Sequence, residues 1–359
     1  MSIASFATLP KPMWEGVLVC LRVGLPELWE RSSRLAWMIM IACAVLLAVL
    51  CLAMGFHYAP FLIAAQVAIL LAIAVGLTGA GWLRPALILE IAAIIAATFL
   101  VVPPLCSILA AMAMPLQDAA LAEIDRRMGI DWVAIAFWFR AHPELSRVLC
   151  AVYGSNIWQP ALLLLALTFA DPERLRLMIT ASAITLAITM FGFFLIPAMG
   201  PYWYFHFTPA DFPDAINVMP WEQPKFIEGL RAGSREMVFS GIVEFPSYHA
   251  ASAILFAFAW SSVPVIGVFG ILLNVLMLVS TVPVGGHYII DIYAGAAVAI
   301  VSLSLAKRYY RATDRIPPLE PWNRTREGRR ALAVLRKWPL VSALIKGPVK
   351  TSSKEPATT

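Results

Sequence analysis

Two histidines and one aspartate stand out among the residues that can do chemistry. His249 lies in the segment FPSYHAAS (residues 245–252), and His287 and Asp291 lie in GGHYIIDIYAG (residues 285–295). A spacing of four places His287 and Asp291 on one face of a helix. The carboxylate can then take the proton of one ring nitrogen and leave the other as a nucleophile, while His249 is suited to act as a general acid.

The elements that must position these residues are apolar helices. Apolar runs at about 249–266, 267–283 and 288–306 follow one another closely, so the first two form a hairpin and the third begins where the second ends. His249, His287 and Asp291 are therefore expected at one membrane face. Ser247 and the first N–H groups of the helix that follows suit a phosphate, with Tyr248 beside them.

Composition places the whole chain in a membrane. The 359 residues are 60% hydrophobic and 14% charged, whereas about 25% charged residues is usual in a soluble domain. Further apolar runs lie at about 36–55, 61–80, 86–107, 149–170 and 176–197, each close to the length that crosses a bilayer. The prediction is an all-α polytopic membrane protein of about eight spans, with a six-helix bundle around the site.

The remaining segments are predicted to lie outside the bilayer. Residues 12–34 suit an interfacial helix, residues 114–148 suit amphipathic surface helices, and residues 200–244 form a long polar loop. Three regions are expected: 1–110 with three extra spans, 111–306 with the catalytic membrane domain, and 307–359 as a basic tail.

Charge predicts the orientation. Of the 27 Lys and Arg residues, 13 lie between Lys307 and Lys354, and Arg84, Arg174 and Arg176 fall on the same side of an eight-span arrangement. Positive residues favour the cytoplasmic side, so both termini are predicted to be cytoplasmic and the site to be at the outer face, in a bacterial inner membrane. The tail favours anionic lipid over nucleic acid as its partner.

The two segments resemble the second and third motifs of the type 2 phosphatidic acid phosphatase superfamily, which read P-S-x-H and H-x-x-x-D. Within it, PAMGPYWY (residues 197–204) is similar to a stretch of the inositol phosphorylceramide synthases and their bacterial relatives. Asp131-Trp132 and Tyr153-Gly154-Ser155 also resemble bacterial members of that branch. The resemblance covers about residues 115–306.

The resemblance implies roles for the three residues. His287 matches the nucleophile that forms a phosphohistidine, Asp291 its orienting partner, and His249 the acid that protonates the leaving group, on a lipid or lipid-linked phosphate and with no metal or other cofactor. Two parts of the family pattern are missing: Thr281 stands where the superfamily has an Arg, and no Lys with an Arg-Pro pair occurs near residue 200.

The phosphoryl group still needs cations or strong donors around it. Candidates chosen by location and chemistry are Lys225, Arg231 and Arg235, with Tyr202 and Tyr204 as neutral donors. Two alternatives stay open: a metal site, since His, His and Asp form a valid zinc set and Glu244 is nearby, and a transporter or lipid-binding protein that relays protons or binds an anion.

Overall fold

The structure is a computed structural model that describes residues 22–212, 219–237, 239 and 241–313. These residues belong to one compact unit, Met1–Pro317, and they are helical, with no strand among them. The N-terminal part of the predicted interfacial helix and the tail beyond residue 313 lie outside the described residues; residues 22–31 of that helix are helical.

The helices follow one another with short connections. They are α1 (Arg34–Met54), α2 (Phe61–Gly79), α3 (Leu83–Ala111), α4 (Asp118–Arg127), α5 (Trp132–Arg140), α6 (Pro143–Ala170), α7 (Pro172–Leu195), α8 (Pro201–Tyr204), α9 (Met219–Arg231), α10 (Tyr248–Trp260), α11 (Ile266–Ser280) and α12 (Ile289–Thr313).

The predicted apolar runs are all helices. Within the described residues, six are long and apolar enough to cross a membrane, namely α1, α2, α3, α6, α7 and α12. Helices α10 and α11 are apolar but have only 13 and 15 residues, which at 1.5 Å per residue is about 20 Å. The structure thus agrees with a polytopic all-α membrane protein, and the expectation that α10 and α11 also span the membrane stays a prediction.

Helix α10 holds the centre of the unit, since it packs against α6, α7, α11 and α12. Its contact with α12 is close: a Cβ at Gly295 would lie 2.3 Å from the carbonyl oxygen of Ser247. The main-chain N–H of Ser247 donates to the carbonyl of Asp291 at 3.1 Å. The two segments singled out in the sequence are thus joined backbone to backbone.

Two expectations about the outer segments need correction. The region 200–244 is not simply a loop, because it contains α9, whose Ile227 and Leu230 are buried in an apolar cluster with residues of α1 and α3. The last helix, expected to end near residue 306, continues to Thr313.

The extra N-terminal helices are tied to the catalytic region by a buried ion pair. Arg176 on α7 lies 3.4 Å from Glu90 on α3, and both side chains are almost fully buried. The same carboxylate accepts the N–H of Ser33 at 2.7 Å. Breaking one member of such a pair would leave a charge uncompensated at membrane depth, so this contact fixes how α1, α3 and α7 meet.

Candidate active site

His287 lies in the tight connection between α11 and α12, and its main chain is held on both sides. Its N–H donates to the carbonyl of Thr281 at 3.3 Å, and its carbonyl accepts the indole N–H of Trp132 at 3.0 Å. The preceding Gly286 has φ +73°, a left-handed conformation in which a glycine is favoured. The imidazole itself is 3% exposed.

Two carboxylates face the same ring nitrogen of His287. Asp291 Oδ2 lies 3.4 Å from Nδ1, and Glu244 Oε1 lies 3.2 Å from it. Both acids are buried, at 0% and 1% exposed. Neither contact has the alignment of a good hydrogen bond from Nδ1, so both are ion-pair contacts. The other ring nitrogen, Nε2, lies away from the two acids.

The charge of His287 is set by this surrounding. Burial disfavours the imidazolium and lowers its pKa, but the nearby negative charges of Glu244 and Asp291 outweigh burial and raise the pKa of His287 from 6.5 to about 10. An imidazolium between two carboxylates is the form in which the buried charges compensate each other best.

His249 lies in the first turn of α10, whose first residues are organised by Ser247. The Ser247 hydroxyl accepts the N–H of Ala250 at 3.3 Å and so caps the helix. The Tyr153 hydroxyl on α6 lies 3.1 Å from His249 Nδ1, and the two rings stack with centroids 4.1 Å apart. A side chain on a third helix therefore holds this imidazole.

Two aspartates on α4 hold the ends of the site segments. Asp125 accepts the N–H of Ile289 at 2.7 Å and that of Ile290 at 3.0 Å, so it caps the start of α12. Asp118 accepts the N–H groups of Met199 and Gly200 and the hydroxyl of Tyr288. Burial raises the pKa of both acids, while these N–H donors act in the opposite direction.

The uncharged candidates have different surroundings. Ser247 is fully buried as the cap of α10, and Tyr248 is half-buried in the first turn of the same helix. Tyr202 donates its hydroxyl to the carbonyl of Pro283 at 2.7 Å, so its donor is committed to the protein. Tyr204 packs beside the cluster of Leu121 and Tyr288.

The three basic candidates are engaged away from the histidines. Lys225 is exposed and pairs with Glu222 at 2.8 Å, Arg231 donates to the carbonyl of Met114, and Arg235 donates to that of Met54. Within the part of the chain that the structure describes, none of the three has a hydrogen bond or ion pair to His249, His287 or Asp291. As ligands of a phosphoryl group they stay predictions.

A metal has to be considered at the same place. One ligand atom each of Glu244, His287 and Asp291 lie within 4.8 Å of one another, a spacing that a cation with oxygen and nitrogen ligands accepts. The distances from Nδ1 to the two acids, 3.2 and 3.4 Å, also fit ion-pair contacts with no metal between them. The sequence-based expectation of no metal stays a prediction.

Sequence reasoning gave no positioning role to four residues that hold the site: Glu244, Tyr153, Asp118 and Asp125. Glu244 was considered only beside a possible metal set, and Tyr153 only as part of the family resemblance. One signal was available for Asp118 and Asp125, because a spacing of seven places them on one face of a helix. Glu244 lies three residues before Ser247, at the end of a polar stretch, where an acid usually faces solvent. Tyr153 lies in an apolar helix where a tyrosine is an ordinary packing residue.

The comparisons with known proteins agree with this geometry. A profile of the PAP2 superfamily matches residues 119–305, a range that begins within α4, ends within α12 and contains His249, His287 and Asp291. No curated protein and no solved structure matches the chain. Since the profile covers slightly more than half of the 359 residues, the chain belongs to the PAP2 superfamily.

Proposed function

We propose that this protein transfers a phosphoryl group from a lipid or lipid-linked phosphate through a phosphohistidine on His287. Membership of the PAP2 superfamily supports a membrane lipid phosphatase or phosphotransferase. The observation that carries the finer proposal is the placement of both acids on Nδ1 of His287, at 3.2 and 3.4 Å. With Nδ1 turned to the acids, Nε2 is the nitrogen that attacks.

The reaction has two balanced steps. In the first, the neutral form of His287 attacks phosphorus with its Nε2 lone pair, the bond from phosphorus to the leaving oxygen breaks, and that oxygen takes a proton from the imidazolium form of His249, which becomes a neutral imidazole. In the second, an acceptor hydroxyl gives its proton to His249 and attacks phosphorus, and the phosphorus–nitrogen bond breaks with its electrons returning to Nε2.

The acceptor decides between a phosphatase and a transferase. With a phosphomonoester donor, water as the acceptor gives free phosphate. With a phosphodiester donor such as phosphatidylinositol, an alcohol as the acceptor gives a new phosphodiester. The likeness of PAMGPYWY (residues 197–204) to inositol phosphorylceramide synthases favours the transferase. This segment adjoins the site, because Met199 and Gly200 share the Asp118 carboxylate with Tyr288.

The proposed site faces the outside of the membrane. His249 lies at the first turn of α10, and the other end of the helix is basic: Arg174 donates to the carbonyl of Phe258, and Lys307 lies over its ring. Since positive residues favour the cytoplasm, the histidines belong to the opposite, periplasmic side of a bacterial inner membrane. The same rule leaves both termini cytoplasmic.

A product assay tests the function. Purified protein is given phosphatidic acid, an isoprenyl pyrophosphate, or phosphatidylinositol with ceramide, and free phosphate and new phosphodiesters are measured separately. We expect a phosphodiester product with the third pair, and loss of all turnover in His287→Gln. His57→Gln, a change at an exposed histidine, is the matched control. Full turnover in His287→Gln would contradict the phosphohistidine, and the absence of turnover in the wild type would favour the transporter or lipid-binding alternative.

A further inference from the structure

The sequence suggested a single acid, Asp291, as the partner of His287. The structure adds a second carboxylate, that of Glu244, at the same ring nitrogen. We propose that Glu244 is a second positioning residue for His287, and that it stabilises the positive charge on the ring while the ring carries the phosphoryl group. This inference rests on the proposed function, because it assigns a role at the same site.

The geometry fixes Glu244 in place. Its Oε1 lies 3.2 Å from His287 Nδ1, and its Oε2 accepts the side-chain N–H of Gln223 at 3.2 Å. Gln223, on α9, is itself 7% exposed. One oxygen is thus held by a neutral amide, and the other is left for the imidazole, because Oε1 has no hydrogen-bond donor within the described residues.

The main chain leaves room for this acid. Gly200 has φ +95°, and a Cβ there would lie 3.3 Å from Glu244 Cδ and 3.0 Å from the carbonyl oxygen of Gly286. A side chain at position 200 would crowd both the carboxylate and the connection that carries His287. The N–H of Gly200 is held by Asp118 at 2.9 Å, so the wall beside Glu244 is a fixed part of the protein.

Charge gives the reason for a second acid. When Nε2 carries phosphorus and Nδ1 keeps its proton, the ring is a cation in a buried site. One carboxylate compensates that charge, and a second strengthens the stabilisation because charges interact strongly where water is excluded. The same two acids also favour the protonated form of His287 in the free enzyme. They therefore stabilise the phosphoenzyme but lower the fraction of His287 that is neutral and able to attack.

The groups that face His287 come from each neighbouring element. They are Glu244 from the segment before α10, Asp291 from α12 and His249 from α10, on which the neutral Tyr153 from α6 stacks. Asp118 on α4 does not contact His287. It accepts the hydroxyl of Tyr288, the residue that follows His287 in the chain. Of these groups, Glu244 and Asp291 are the two whose oxygens lie at Nδ1.

The test uses the full-length protein in detergent, with Glu244→Gln, which keeps the size of the side chain and removes its charge. The ring titration of His287 is followed by NMR with labelled histidine, and the pH dependence of turnover is measured in parallel. The control is Glu144→Gln, which removes an exposed acid that pairs with Arg147 on α6.

The proposal predicts a joint change. In Glu244→Gln the pKa of His287 falls by about one unit or more. The limb of the pH–rate profile that reports this titration moves to lower pH by the same amount. Turnover at the optimum falls roughly 10- to 100-fold, the usual effect of removing a residue that orients a functional ligand. Glu144→Gln leaves both measurements unchanged. An unchanged titration in a folded Glu244→Gln protein would overturn the proposal.

Two further arms keep the outcome clear. If Glu244→Gln does not fold, Glu244→Asp, which keeps the charge but withdraws it by one methylene, must give a smaller shift in the same direction, and no shift overturns the proposal. Turnover that is lost on chelation and restored by added Zn²⁺ or Mn²⁺ would overturn it in favour of a metal site. If the wild type turns over no lipid phosphate, the proposed function fails, while the NMR titration still decides whether Glu244 acts on His287.

Discussion

The Tyr153 hydroxyl lies 3.1 Å from His249 Nδ1, and the two rings stack with centroids 4.1 Å apart. A tyrosine oxygen that accepts the Nδ1 proton of the imidazolium holds the ring, so that the Nε2 proton is the one given to the leaving oxygen. Tyr153 is on α6 and His249 on α10, so the packing of these two helices sets the orientation of the proposed acid.

Removing this hydroxyl should slow the reaction without unfolding the protein. We expect Tyr153→Phe to lower turnover about 10-fold, equivalent to about 1.4 kcal/mol, because the ring stays stacked but its proton is no longer fixed. Tyr310→Phe is the matched control, since the Tyr310 hydroxyl is also buried but pairs with Thr180. Equal turnover in the two variants would refute the role of Tyr153.

Asp125 should be needed for the start of α12. Asp125→Ala leaves the N–H groups of Ile289 and Ile290 without their acceptor, at a cost of about 1–3 kcal/mol in the free energy of unfolding for each buried donor. Thermal unfolding in detergent and turnover should both fall. Asp131→Ala removes a cap at the exposed start of α5, and a similar loss of turnover there would argue against a specific role for Asp125.

Gly295 should tolerate no side chain. Gly295→Ala places a Cβ 2.3 Å from the Ser247 carbonyl, which forces α10 and α12 apart and costs about 1–3 kcal/mol. The bond between Ser247 and Asp291 would lengthen with it, so activity should fall together with stability. Gly154→Ala, a helical position with open space around it, is the control and should leave both unchanged.

The charge of His287 should appear in the pH dependence of stability. Because its pKa is raised from 6.5 to about 10, its stabilising contribution is fully present below about pH 6.5 and is lost as the pH rises to about 10. The difference in unfolding midpoint between wild type and His287→Gln should therefore shrink across that range. A constant difference would mean that the imidazole is not charged between the two acids.

Much of this architecture is readable from sequence because hydrophobicity alone specifies it. The apolar runs predicted the long helices, and the P-S-x-H and H-x-x-x-D motifs predicted the superfamily that the profile confirms. The same signal overestimated α10 and α11, because apolar residues continue through the turn between them and hide its position at 261–265.

The surroundings of the histidines are harder to predict because they depend on long-range contacts. Glu244 and His287 are 43 positions apart, and Asp125 reaches Ile289 across 164 positions. Arg231 and Arg235 were chosen for their charge as ligands of a phosphate, which stays a prediction, and in the fold they donate to main-chain carbonyls of other segments. Residue type alone does not distinguish these two uses of an arginine.

The most direct test of the account is to trap the phosphoenzyme. Wild-type protein is mixed with substrate, quenched at alkaline pH, where phosphohistidine survives, and analysed by peptide mass spectrometry. The account predicts a phosphoryl group on His287, lost on acid treatment and absent from His287→Gln. Turnover with no phosphohistidine at His287 under rapid quench, or a phosphoryl group on His249 instead, would contradict it.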